Sequence, residues 1–391
     1  MSKKIGFIPL RKGSKGIRNK NKKKMAGRPL FSWVLTEALL SDLDQIIVYT
    51  DDQEIIDYIS AEYHWTTKVN AVMRSAESAT DTASTETAML EYCESINFDF
   101  SLFCLLQATS PLTTRHDINT CISKIYTEDC DSALTVVRTH RFIWNEDGSP
   151  ANYDYLNRPR RQDFNGLLIE NGAVYVAKAD VVKQNRNRLG GKIAIVEMPE
   201  ETLMEIDSMS DWGIVENLLI DRLRAQKKSD RITHLLLDVD GVFTDGCVYF
   251  GPEGELLKKF DMRDGMGLEV LRQYDVEVMV MTSENSKLVE QRMKKLKIDK
   301  AYFGVKDKYA FLQNLMLEKN LSSGNLAYIG DDINDLASML TVGWSFAPNN
   351  AMDIIKKNAD FTVNTNSAAG AIRTVCDHIM KYNKRYEKNG I

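Results

Sequence analysis

The sequence predicts an α/β protein of two domains, each built on a mainly parallel sheet. Three observations carry this. Short apolar runs alternate with longer amphipathic stretches, the pattern of β–α repeats. The alternation stops at a charged segment, Arg222–Arg231, and a second series begins beyond it. The length of 391 residues leaves room for two or three domains at about one per 150 residues.

In the first half, Ile5–Leu10, Gln45–Thr50, Leu102–Gln107, Ala133–Val137 and Ala173–Lys178 read as strands, and Pro29–Leu40 as an amphipathic helix. Residues 140–170, rich in Arg, Asn and Pro, interrupt the rhythm as an excursion from the sheet. Asp211 reads as a helix start, with Trp212, Val215, Leu218, Leu219 and Leu223 on one side. The second series runs through His234–Asp240, Val276–Thr282, Ala301–Phe303, Leu326–Asp331 and Trp344–Ala347. The expected division is a first domain 1–222, a linker 223–230 and a second domain 231–391.

Composition narrows the function classes. At 43 % hydrophobic and 27 % charged residues the chain is ordinary for a globular protein, which excludes disordered and fibrous classes. No segment reaches the roughly 18 apolar residues of a membrane helix, and no signal peptide is read at the start. The six cysteines show no Cys-x-x-Cys spacing, so they read as buried thiols in a reducing cytosol. The net charge of −5 hides an asymmetry: residues 1–36 carry eleven Lys/Arg and no acid, while 37–100 carry fourteen acids. A basic cluster of that kind suits a polyanion or a nucleotide's phosphates, or is a solvated face. Nucleic acid normally asks for interleaved aromatics or a basic helical stripe, and Lys20–Lys24 offers neither.

The first strand runs into Arg11-Lys12-Gly13-Ser14-Lys15-Gly16. Two glycines let backbone N–H groups turn toward an anion that Arg11, Lys12 and Lys15 neutralise, at the carboxyl end of a strand where open α/β sheets bind ligands. The spacing is not that of a Walker loop. This block, with Lys20-Asn21, Thr50-Asp51-Asp52, Ser78–Ser84, Leu106–Leu112, Arg160–Asp163 and Glu170–Tyr175, resembles CMP-sialic acid synthetases (N-acylneuraminate cytidylyltransferases) over residues 3–220. The resemblance implies a Rossmann-like nucleotidyltransferase fold and attack of a sugar acid's anomeric hydroxyl on the α-phosphate of CTP. By it, Arg11, Ser14 and Lys15 hold the triphosphate, Arg11 and Lys15 as catalytic cations. Asn21 and Arg74 lie near the nucleoside, and Gln107 with Arg160, Arg161 and Gln162 faces the sugar acid. The family's Asp-x-Asp metal pair is replaced here by Glu205-Ile206-Asp207, expected on a strand with both carboxylates on one side for Mg²⁺.

In the second half, a buried strand ends in Asp238-Val239-Asp240-Gly241, where alternation puts two acids on one side and a cation is the natural compensator. Thr282, Lys308 and the cluster Asp331-Asp332-Ile333-Asn334-Asp335 follow at later strand ends, a set suited to Mg²⁺-dependent phosphoryl transfer. With Arg263-Asp264-Gly265-Met266-Gly267, the set resembles the KDO-8-phosphate phosphatase subgroup of the haloacid dehalogenase superfamily, over residues 231–381. That resemblance implies a HAD-like Rossmannoid domain with a minimal cap. Asp238 is then the nucleophile and Asp240 the general acid and base. Thr282 and Lys308 hold the phosphoryl oxygens, and Asp331, Asp238 and the backbone carbonyl of Asp240 bind Mg²⁺. Asp332 and Asp335 are expected in outer, supporting roles. The subgroup's glycine-rich tail is altered to Ala368-Ala369-Gly370-Ala371-Ile372-Arg373-Thr374.

The expectation is thus a bifunctional, cytoplasmic enzyme. It removes phosphate from a nine-carbon sialic-type sugar acid 9-phosphate (Neu5Ac-9-P or KDN-9-P) and couples the free acid to CMP. Mg²⁺ serves both domains, CTP is co-substrate, nucleic acid and membrane are not partners, and the chain is a homotetramer. The alternatives are a synthetase whose second domain is only an oligomerisation scaffold, and a nucleic-acid-binding protein acting through its basic N-terminus.

Overall fold

The computed structural model describes residues 3–13 and 16–387. Ser14 and Lys15, two of the expected phosphate ligands, lie outside the described residues. By its contacts the chain forms two units, Met1–Met25 with Pro29–Leu218, and Ala26–Arg28 with Leu219–Ile391.

The first unit is a seven-stranded sheet of β1 (Lys4–Leu10), β2 (Gln45–Thr50), β3 (Val69–Met73), β4 (Leu102–Leu106), β5 (Ser132–Thr139), β6 (Leu167–Lys178) and β7 (Ile193–Met198), in the order β3-β2-β1-β4-β6-β5-β7. All neighbours pair in parallel except where β6 runs antiparallel to β4 and β5. Unbroken apolar runs such as Leu102–Leu106 are buried along their whole length, as strands covered on both faces must be. Phe7 is fully buried, with the rings of Tyr49, Tyr92 and Phe103 at 5.2–5.5 Å. The β1–β2 register pairs Leu10 with Thr50, so the basic loop and Asp51 leave the sheet at the same edge. There the backbone N–H of Lys12 donates to Asp51 Oδ1 at 2.7 Å.

The helix expected from Asp211 spans Met209–Ala225. Ser208 and Asp211 bond reciprocally, Ser208 N–H to Asp211 Oδ2 at 2.7 Å and Asp211 N–H to Ser208 Oγ at 3.2 Å. Asp211 is therefore the third residue of a capping box, not the first of the helix.

The second unit is an all-parallel sheet of β8 (His234–Leu237), β9 (Glu277–Met281), β10 (Ala301–Tyr302), β11 (Leu326–Ile329), β12 (Trp344–Ala347) and β13 (Phe361–Thr362), in the order β10-β9-β8-β11-β12-β13. Its core gathers Leu235, Leu237, Val280, Ile329 and Phe346 with Ile372, Val375 and Ile379 of the helix Ala371–Glu387. Leu237 pairs with both Val280 and Ile329. That register brings the segments after three neighbouring strands to one carboxyl edge, the place where such sheets bind ligands.

Strand β8 ends at Leu237, short of the expected Asp240. The N–H groups of Phe243 and Thr244 both donate to Val239 O at 2.9 Å, and Gly241 turns the chain at φ +89°. Asp238 still follows the strand, its N–H donating to Ile329 O at 3.1 Å, whereas Asp240 is placed by the turn and not by strand alternation. Gly241 is needed there for space as well as for φ, since a Cβ would fall 1.9 Å from Asp331 Oδ2.

Candidate active sites

In the first unit, the edge beyond β1 and β4 holds an open hollow of about 190 Å³ lined by Arg11, Asn21, Arg74, Thr80, Ser84 and Gln107, among others. Arg74 is buried. It donates to Leu10 O and to Ser78 Oγ and O, tying the end of β1 to the 75–78 turn. Burial pulls its pKa down, and Asp51, Tyr49 and Glu91 act against that. Arg11 pairs with Asp81 at 2.7 Å and donates to Thr80 O, and Asn21 donates to Arg11 O at 3.2 Å. The hollow thus gathers four expected residues, Arg11, Asn21, Arg74 and Gln107, while Arg160, Arg161 and Gln162 do not line it. Those three are on a short 3₁₀ turn and its cap, with Arg161 3.5 Å from Glu200.

Glu205 and Asp207 are not on a strand. They leave the 3₁₀ turn Glu200–Leu203 in extended loop, exposed on either side of the fully buried Ile206. Lys20 donates to Ile206 O at 2.8 Å and lies 3.6 Å from Asp207. Lys22 pairs with Asp52 at 2.8 Å and Glu54 at 2.6 Å. Several cations of the basic N-terminus are therefore matched by acids of the same unit.

In the second unit, Asp238 and Lys308 are buried and meet at 2.7 Å. Lys308 also donates to Asp335 Oδ1 at 2.7 Å, as does the hydroxyl of Tyr328. Asp335 Oδ2 accepts the backbone N–H groups of Asp331 at 3.0 Å and Asp332 at 3.4 Å. Among the described residues, Asp238, Asp331 and Asp335 form the one group of acidic, His or Cys side chains whose ligand atoms all lie within 4.8 Å of one another. Burial first, and then the charge of Asp335, push Asp238 up to about 7 and Asp331 up to about 8. Burial pulls the Lys308 ammonium down, but the charges of Asp238 and Asp335 outweigh it and hold its pKa above the ordinary value. Thr282, at the end of β9, is buried and accepts the N–H of Glu284 at 3.2 Å. Asp240 faces a different cation, Lys258 at 2.8 Å, itself only 1 % exposed and also 3.3 Å from Glu255.

This donor set fits a divalent cation. Three carboxylates against one ammonium leave two negative charges, and Asp331 Oδ1 is buried with no hydrogen-bond partner. Hard carboxylate oxygens are what Mg²⁺ takes.

A cytidylyltransferase family model matches residues 5–224. N-acylneuraminate cytidylyltransferase B of Danio rerio is 32 % identical over 391 residues, covering 97 % of this chain and 90 % of that protein. The chain belongs to the N-acylneuraminate cytidylyltransferase family. A haloacid dehalogenase-like hydrolase model matches residues 304–375. The 3-deoxy-D-manno-octulosonate 8-phosphate phosphatase of Escherichia coli K12 is 38 % identical over 153 residues, 39 % of this chain and 81 % of that protein. A solved phosphatase of the same name from Moraxella catarrhalis, in complex with magnesium ion, phosphate ion and KDO, is 28 % identical, covers 44 % of this chain and 95 % of itself, and has a TM-score of 0.39. The enzyme is therefore a cytidylyltransferase joined to a phosphatase of the haloacid dehalogenase superfamily.

In this cytidylyltransferase–phosphatase, two residues hold more of the second site than the sequence suggested. Asp335, expected in the same outer role as Asp332, is fully buried and accepts four hydrogen bonds, whereas Asp332 is exposed. With all four bonds made, Asp335 orients the site, and the open oxygen belongs to Asp331. Lys258 carries no motif, and nothing in its local sequence distinguishes it from the exposed Lys259 beside it.

All six cysteines are free, five of them buried and Cys247 exposed. Burial pushes the Cys93 and Cys121 thiols up to about 12. No helix among the described residues is long and apolar enough to cross a membrane.

Proposed function

We propose that the chain carries out two consecutive reactions on a nine-carbon sialic-type sugar acid: release of its 9-phosphate, and transfer of CMP from CTP to the free acid. The observation that carries this is the complete set Asp238, Asp240, Thr282, Lys308 and Asp331 at one sheet edge of a unit joined to a cytidylyltransferase. A domain kept only as a scaffold has no need of two buried acids on one lysine with a third, half-buried acid beside them, a costly arrangement without a cation.

In the phosphatase unit, an Asp238 carboxylate oxygen attacks phosphorus, forming an aspartyl-phosphate as the bond to the sugar oxygen breaks. Asp240 gives that oxygen its proton. Asp240 Oδ1 is taken by Lys258, while Oδ2 is buried without a partner, so Oδ2 is the atom that carries the proton. It next takes a proton from water, which attacks the phosphoryl group, frees inorganic phosphate and restores Asp238. Lys308 and Thr282 hold the phosphoryl oxygens. Asp238, Asp331 and the Asp240 carbonyl would hold Mg²⁺, which supplies charge neutralisation on the phosphoryl group.

In the cytidylyltransferase unit, the sugar's anomeric hydroxyl attacks the α-phosphate and pyrophosphate leaves. Arg11, with Ser14 and Lys15, holds the triphosphate. Asn21 and Arg74 flank the nucleoside, Gln107 with Arg160, Arg161 and Gln162 takes the sugar acid, and Glu205 with Asp207 would hold a second Mg²⁺, supplying charge neutralisation. The work is positioning and charge neutralisation.

The domains we assign are 1–222 and 231–391, joined by 223–230, in a cytoplasmic homotetramer. Exposed Tyr249, Phe250, Leu256 and Leu257 on the hairpin Tyr249–Gly251/Gly254–Leu257 support assembly, since a soluble surface rarely leaves such a patch bare.

Asp238→Asn tests the reading. We expect phosphate release from Neu5Ac-9-P and KDN-9-P to vanish while CMP transfer to the free acids stays within about twofold. Undiminished phosphate release would leave the scaffold reading standing.

A further inference from the structure

Helix Lys308–Glu318 delivers Lys308, and its first turn is held by the residue just before it. Asp307 is the N-cap: its Oδ1 accepts the N–H of Ala310 at 3.2 Å. The Asp307 side chain is 1 % exposed, so its charge needs a partner. That partner comes from far upstream in the sequence. Arg28 Nε donates to Asp307 Oδ1 at 2.8 Å and its NH2 nitrogen to Oδ2 at 2.9 Å, a two-point grip. The guanidinium also faces the Tyr309 ring, 4.5 Å from its centroid. Residues on both sides of Lys308 are thus held by one arginine that is itself only 3 % exposed.

The turn carrying Arg28 is fitted to the same acidic loop. Gly27 has φ +84°, and a Cβ there would fall 1.9 Å from Ile333 O, in the middle of the Asp331–Asp335 segment. Any larger residue would push the turn off that loop. Residues 26–28 belong by their contacts to the second unit for this reason.

We propose that Arg28 is a positioning residue of the phosphatase site, holding Asp307 and Tyr309 so that the Lys308 ammonium stays aimed at Asp238 and Asp335. The proposal rests on the phosphatase reading above. Arg28 touches no reacting atom. Without it, the two-point grip on Asp307 and the stack on Tyr309, the residues on either side of Lys308, would both be lost. A lysine at 28 supplies charge but neither the second hydrogen bond nor the planar stack.

The test uses the full chain with Mg²⁺ and p-nitrophenyl phosphate, inorganic phosphate as competitive inhibitor, and CMP transfer as the measure of folded protein. We expect Arg28→Ala to lower kcat for phosphate release at least tenfold and to weaken inhibition by phosphate, with CMP transfer within twofold of wild type. Arg28→Lys should fall between. Asp307→Asn, which keeps a cap for Ala310, should lose a similar factor, and the double variant should lose little more than either alone because both break one link. Should Arg28→Ala fail to fold, the Asp307→Asn and Arg28→Lys variants decide by the same measures. A kcat within twofold of wild type in folded variants, or multiplying losses in the double variant, overturns the proposal. A wild-type chain that releases no phosphate from any monoester overturns the phosphatase reading first, and this proposal with it.

Discussion

Replacing Asp335 by Asn should cost the phosphatase unit more stability than any other single change in its acidic loop. The carboxylate is fully buried and accepts from Lys308 and Tyr328 at 2.7 Å on one oxygen, and from the N–H groups of Asp331 and Asp332 on the other. An asparagine has one acceptor and one amide donor. Whichever way it turns, the NH₂ group faces donors, either the ammonium and hydroxyl or the two backbone amides. Removing one partner of a buried ion pair costs about 3–5 kcal/mol. Loss of the Asp335 charge relieves Asp238 and Asp331, which it pushes upward, so the low end near ~3 kcal/mol applies. For a unit of this size that is a drop in melting temperature of roughly 6–12 °C. Hydrogen exchange followed at residues 326–340 during heating isolates this unit's transition. Asp332→Asn is the internal control, since Asp332 is exposed, and its effect should stay within about 0.5 kcal/mol. A shift below about 2 °C for Asp335→Asn, or equal shifts for the two variants, would refute the argument.

Three further outcomes follow from the same geometry. In EDTA, the phosphatase unit should melt at progressively lower temperature as pH rises from about 5 to 8. Asp238 and Asp331 have folded pKa values raised above their unfolded ones, so stability is full below the unfolded values and falls as pH passes toward about 7 and 8. Mg²⁺ at about 100 times its Kd should add about 2.7 kcal/mol and flatten the slope, and a flat profile without metal would contradict the raised carboxylates. Arg74→Ala, which frees Leu10 O and the 75–78 turn beside the hollow, should lower kcat/KM for CTP at least tenfold with phosphate release unchanged, read in paired assays. Lys258→Met, which removes Asp240's 2.8 Å cation, should turn p-nitrophenyl phosphate hydrolysis into a burst with slow turnover, since that leaving group departs without a proton while water activation still needs Asp240 as base, and linear release with no burst would contradict this.

Much of this was legible in the residues, and the exceptions have physical reasons. The strands with unbroken apolar runs stood out, and β2 and β12 match their expected limits. Val69–Met73 was missed because its burial alternates weakly, with Asn70 and Met73 exposed. Phe361–Thr362 was missed because two residues carry no period. Asp238 and Asp331 are legible from motif and strand-end position and the structure brings them together, whereas a turn at Gly241, not alternation, sets Asp240. The family's Asp-x-Asp pair leads one to expect Glu205 and Asp207 on a strand. Buried Ile206 between exposed neighbours produces a strand's alternation in a loop. Arg28 could not be recognised, since its partner Asp307 is 279 residues away and no local spacing joins them.

The roles of the acids in the second unit follow from which cation each one meets. Asp238 and Asp335 share Lys308 in full burial, yet Asp335 spends every lone pair on fixed donors while Asp238 keeps one oxygen beyond the two bonds its Oδ1 accepts. That leaves Asp238 able to attack and Asp335 able only to orient. Asp240 has a lysine of its own, Lys258, brought in directly after the hairpin, so it does not share Lys308 with the other acids. Asp331 meets no cation among the described residues, and its buried Oδ1 has no donor. Burial without a donor disfavours the anion, so in the mechanism proposed above Asp331 is the acid whose charge Mg²⁺ would stabilise. In the proposed mechanism, chemically identical side chains would thus be divided into nucleophile, orienter, proton carrier and metal ligand by their partners alone, the principle by which environments that differ assign different work to like carboxylates.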